Sequence, residues 1–71
     1  MNAKEAIIGK RVFSIDDKEN GTIIETQKER NPLTKYCFPK NYITVKLDKK
    51  ISYLGEELDI FVYNPCKLKT I

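Results

Sequence analysis

Two acid-rich runs and two cysteines are the places where chemistry could start in this chain. Asp16, Asp17 and Glu19 crowd one short stretch. Clustered carboxylates suit a hard cation such as calcium, but a calcium loop needs twelve residues and a closing glutamate. That pattern is missing, so solvated turn acids are the simpler reading. Glu56, Glu57 and Asp59 could imitate the paired carboxylates of a hydrolase. Such a pair works when its surroundings push the two pKa values apart, and an open strand face does not do that. A nucleophilic Cys37 or Cys66 would need a base beside it. The chain has no histidine, which removes the commonest base and the commonest metal ligand. Two cysteines without histidine do not complete a zinc site. The residues thus predict no catalytic group, no metal, no cofactor and no small-molecule substrate.

Two further groups of side chains have binding chemistry rather than catalytic chemistry. Lys28, Arg30, Lys35 and Lys40 form a basic set with Tyr36 and Phe38 between its last two members. Cations for phosphates with rings for stacking are what single-stranded nucleic acid requires. Glu25 and Glu29 dilute that set, and a solvated loop without a ligand is the competing account. The second group is Tyr42, Thr44, Lys46, Phe61 and Tyr63. These would share the outer face of a hairpin and could grip a peptide. In the competing account a loop or the N-terminal leader covers them as a second small core.

The elements that must position these residues come from a chain of 71 residues. That length implies one domain, residues 1–71, whose core supplies roughly 3–5 kcal/mol at most. Its net charge of +3 permits an acidic or nucleic-acid partner without demanding one. No apolar run is long enough for a transmembrane helix, and residues 1–6 lack the apolar centre of a secretory signal. The expected setting is cytoplasmic, with Cys37 and Cys66 as unbridged thiols.

Periodicity then places the strands. A short helical turn over residues 2–8 is stopped by Gly9. The first strand covers Lys10 to Ile15, with Val12 inward. Asn20-Gly21 is a strong turn signal, followed by a strand from Thr22 to about Lys28. Residues 29–41 form a long connection broken by Pro32 and Pro39. Two alternating runs follow, 42–48 and 58–63, flanking a loop from Lys49 to Glu57. Pairing Val45 with Ile60 aligns Ile43, Val45 and Leu47 with Leu58, Ile60 and Val62. It also sets Lys46 against Asp59, a favourable cross-strand pair. The expected core is Val12, Ile23, Ile43, Val45, Leu47, Leu58, Ile60, Val62 and Leu68. Pro65 calls for a single 3-10 turn before a short last strand.

Gly9-Lys10-Arg11-Val12, Gly21-Thr22-Ile23-Ile24, Ile43 to Asp48 and Tyr63-Asn64-Pro65-Cys66-Lys67-Leu68 carry a resemblance. The chain resembles the SH3-like barrel superfamily in its Tudor-like and KOW-like forms. The resemblance implies an all-β, five-stranded, mostly antiparallel SH3-like barrel with a one-turn 3-10 helix before the last strand. It also implies a non-enzymatic binding module. As a protein-interaction domain, or a subunit of a larger complex, the chain would use Tyr42, Lys46, Phe61, Tyr63, Arg30 and Lys40. The alternative is a nucleic-acid-associated barrel using Lys28, Arg30, Lys35, Tyr36, Phe38, Lys40 and Lys46.

Overall fold

Five strands lie side by side in one sheet: β1 (Arg11–Ser14), β2 (Glu19–Glu25), β3 (Ile43–Tyr53), β4 (Glu56–Tyr63) and β5 (Leu68–Thr70). The computed structural model describes residues 1, 3–26 and 41–71. The strand order is β4-β3-β2-β1-β5, and every neighbouring pair is antiparallel. Among the described residues the edges are β4 and β5. The protein is therefore all-β, with 3-10 turns at Ala3–Glu5 and Pro65–Lys67. None of its described helices is long and apolar enough to cross a membrane.

Inward side chains build one core: Val12, Ile23, Ile43, Val45, Leu47, Tyr63 and Leu68. Met1, Ala6, Ile51 and Phe61 pack around it. The N-terminus is tied down, because the Met1 amino group donates to the Leu68 carbonyl at 2.8 Å. Gly9 turns the leader into β1 with φ +92°, and its N–H reaches the Ile23 carbonyl at 2.8 Å. At the other end the 3-10 turn forms as Pro65 requires. Asn64 caps it, its side-chain oxygen accepting from the Cys66 N–H at 3.1 Å. Cys66 is a free, exposed thiol. Cys37 lies outside the described residues.

The Asn20-Gly21 pair does not make the turn. Both residues are inside β2, and the chain reverses over residues 15–18, where Lys18 takes φ +55°. The Lys18 N–H closes the turn on the Ser14 carbonyl at 2.8 Å. Gly21 serves a different purpose. A Cβ there would sit 2.6 Å from Val45 Cγ1 and 2.8 Å from the Lys46 carbonyl oxygen. Glycine lets β2 and β3 approach over the core.

The hairpin register also differs from the alternation-based expectation. Val45 faces Phe61, Lys46 faces Ile60, and Ile43 faces Tyr63. Nearer the tip Ile51 faces Leu58 and Tyr53 faces Glu56. Between these blocks β3 runs through residues 47–50 while β4 advances only through Asp59, so β3 bulges. The one-residue offset at the base turns β4 over. Tyr63 is buried and Phe61 half-buried, whereas Ile60 is 52% and Leu58 38% exposed. Val62 is half-buried. Leu58, Ile60 and Val62 therefore do not belong to the buried core. The physical reason is that β4 is apolar on both parities, and two large rings fill the interior better than two aliphatic chains.

Candidate interaction surface

The hairpin has two different faces because of the β3 bulge. On the inner face an aromatic series runs from core to tip. The Phe61 and Tyr63 ring centroids are 6.3 Å apart, and those of Tyr53 and Phe61 are 5.8 Å apart, edge to face. On the outer face β4 presents Ile60 across from Lys46 and Val62 across from Thr44, whereas Leu58 lies across from Ile51, which packs on the core. Ile24, exposed where β2 shifts register against β3, adds another aliphatic group outside the core.

The tip carries the most unusual residue. Leu54 and Gly55 form the two-residue connection, with φ of +51° and +82°. Positive φ at both positions is the requirement of a type I′ hairpin turn, where asparagine followed by glycine is favoured. Leucine at the first position is strained, and its side chain is 88% exposed. Tyr53 beside it is 54% exposed. Lys49 and Lys50 on β3, with Glu56 and Glu57 on β4, give the hairpin charges of both signs.

Tyr63 is held by more than packing. Its hydroxyl donates to Asp17 Oδ2, joining the end of β4 to the β1–β2 turn. Asp17 is positioned in turn by its N–H, which donates to the buried Ser14 Oγ at 3.2 Å. Burial, with the bond to Asp17 second, pushes the Tyr63 hydroxyl up to about 12. Asp17 is thus a structural acid. Its neighbour Asp16 lies 3.8 Å from Lys67 Nζ, and Glu19 accepts from the Asn20 N–H at 3.0 Å.

The outer face also holds a charged row. Arg11 faces Thr22, and Thr22 faces Lys46. Arg11 forks onto both Asp48 carboxylate oxygens, at 2.7 and 2.5 Å, and also reaches Thr22 Oγ1 at 2.8 Å. The bond from Arg11 holds the Asp48 carboxyl below its usual range. That pairing takes Arg11 away from phosphate recognition. Lys46 is exposed between Thr22 and Ile60. Tyr42 is half-buried just before β3.

The expected partner-binding set is therefore divided. Lys46 lies on the outer face, while the half-buried Phe61 and the buried Tyr63 line the inner face, the opposite parity to the one alternation suggested. Arg30 and Lys40 lie outside the described residues, as do Lys28, Lys35, Tyr36 and Phe38. Sequence reasoning missed Leu54, Leu58 and Ile60 as surface groups. Gly55 was the available signal, since it marks the second position of a two-residue hairpin turn. Searches of family models, curated proteins and solved structures yield no match to this chain.

Proposed function

We propose that the domain is a non-enzymatic protein-interaction module of the SH3-like barrel type, presenting its β3–β4 hairpin to a protein partner. The order of elements supports the fold part of that reading: four strands, one 3-10 turn, then a short closing strand. The observation that carries the functional part is Leu54. A bulky residue in left-handed backbone costs folding energy, and its side chain contributes little to the core. A leucine kept there is explained by an apolar cleft on another protein that receives it beside Tyr53. Lys49, Lys50, Glu56 and Glu57 then supply a polar rim that sets orientation and encounter rate.

The test is capture of partners from native lysate, after nuclease treatment, on immobilised wild-type protein and on the Leu54→Asn variant. Asparagine suits the turn and removes the apolar knob. The reading predicts a protein retained by the wild type and lost by Leu54→Asn. Equal retention by both proteins, or binding that nuclease abolishes, contradicts it.

A further inference from the structure

We infer that Asn20-Gly21 is a deamidation site gated by the sheet, closed while β2 is paired and open when β2 leaves its neighbours. The site concerns β2 alone and is independent of the hairpin. The reaction is intramolecular. The Gly21 backbone nitrogen loses its proton to hydroxide and attacks the Asn20 side-chain carbonyl carbon. A new C–N bond closes a five-membered imide, the bond to the side-chain nitrogen breaks, and ammonia leaves with a proton taken back from water. Water then opens the imide at either carbonyl, giving aspartate or isoaspartate at position 20. Glycine favours the attack because no side chain shields its nitrogen. The other asparagines are poorer substrates. Asn31 and Asn64 precede proline, whose nitrogen carries no hydrogen. Asn2 and Asn41 precede alanine and tyrosine, whose side chains crowd the nitrogen.

Asn20 is exposed in the folded chain, so lack of water does not close the site. Pairing does. β2 lies between β1 and β3, and Gly21 faces Val12 on one side and Leu47 on the other. The Ile23 N–H donates to the Lys10 carbonyl at 2.9 Å. Bonded and non-bonded pairs alternate along an antiparallel ladder. Val12 and Gly21, two residues along, are therefore again a bonded pair, and the nitrogen that must attack donates its N–H to Val12. Strand geometry adds a second barrier. In an antiparallel strand ψ is about +135°, which turns the Gly21 nitrogen away from the Asn20 side chain. Ring closure requires rotation about that bond, and Gly21 is tightly held: a Cβ there would lie 2.6 Å from Val45 Cγ1. Val12, Ile23 and Val45 around it are fully buried. Opening the site therefore means opening the core. The same close approach makes the isoaspartate product incompatible with the sheet. Its main chain runs through the former side chain and is one carbon longer, which displaces Gly21 and every later residue of β2. A transient departure from the fold thus becomes permanent.

Incubation of the full chain at mildly alkaline pH, with and without denaturing guanidinium chloride, tests the inference. Peptide mass mapping locates the modification and gives its rate. In denaturant, Asn20 should deamidate ahead of every other asparagine. In buffer it should react at least about a hundredfold more slowly, the ratio of folded to unfolded chain that a core of this size sustains. After dilution from denaturant, chains carrying isoaspartate should stay unfolded by circular dichroism. Asn20→Ser, given the same treatment, should refold completely. Equal rates in buffer and denaturant, or another asparagine reacting first, overturn the inference. So do isoaspartate chains that refold with the midpoint of unmodified protein, and a loss of refolding in Asn20→Ser as large as in the wild type.

Discussion

The Tyr63 hydroxyl donates to the Asp17 carboxylate, pinning the end of β4 to the β1–β2 turn. The two residues are far apart in sequence, and the turn is ordered from one side by Ser14 and from the other by Tyr63. This contact stabilises the sheet where the aromatic series meets the core. It also makes stability depend on the proton that Tyr63 keeps.

Tyr63 titrates near 10 in the unfolded chain and near 12 in the folded one. The folded state therefore holds the proton more tightly. The resulting stabilisation is complete below about 10 and is lost as pH rises through about 12. Tyr63→Phe should lower stability at neutral pH by about 1 kcal/mol, the usual worth of a side-chain hydrogen bond. It should also flatten the fall of the urea midpoint across that alkaline window. A decline as steep as in the wild type would show that Tyr63 does not carry the proton linkage.

Gly21→Ala tests the close approach of β2 to β3. A new Cβ would meet Val45 Cγ1 and two backbone atoms, the Lys46 carbonyl oxygen and Leu47 Cα. The backbone has little room to yield, so the variant should lose about 1–3 kcal/mol in chemical denaturation. An unchanged midpoint would mean that the strands are farther apart than described.

Much of the fold was legible in the sequence, and the exceptions have physical causes. Ile43, Val45 and Leu47 were readable as core because they share the one apolar parity of their strand, and Leu68 because it follows the Pro65 turn, whereas Val12 and Ile23 have apolar neighbours, Phe13 and Ile24, on the other parity. Asn20-Gly21 misled because the same glycine that favours a turn also permits a close strand contact, and only tertiary packing decides between them. β4 was ambiguous in principle, since Leu58, Ile60 and Val62 satisfy one parity while Phe61 and Tyr63 satisfy the other. The charge pairing of Lys46 with Asp59 favoured the wrong parity, because a cross-strand ion pair is weaker than the burial of two rings. The β3 bulge between Lys46 and Ile51 has no sequence mark of its own.

Leu54→Asn should raise stability. Asparagine tolerates left-handed backbone, which costs an ordinary residue about 1–2 kcal/mol. A gain of about 1 kcal/mol in urea denaturation is the expected outcome. A loss of stability would mean that Leu54 contributes packing to its own domain and is not held out for a partner.

At the base of the hairpin Phe61 and Tyr63 line the interior while Ile60 and Val62 lie on the other face. The most direct measurement compares urea midpoints of Phe61→Ala and Ile60→Ala in dilute solution. Phe61 packs on the core, so its truncation should cost about 2 kcal/mol, somewhat less than a fully buried phenylalanine. Ile60 projects into solvent, so its truncation should stay within about 0.5 kcal/mol of wild type. A large loss from Ile60→Ala with little from Phe61→Ala would put Ile60 inside and contradict the account.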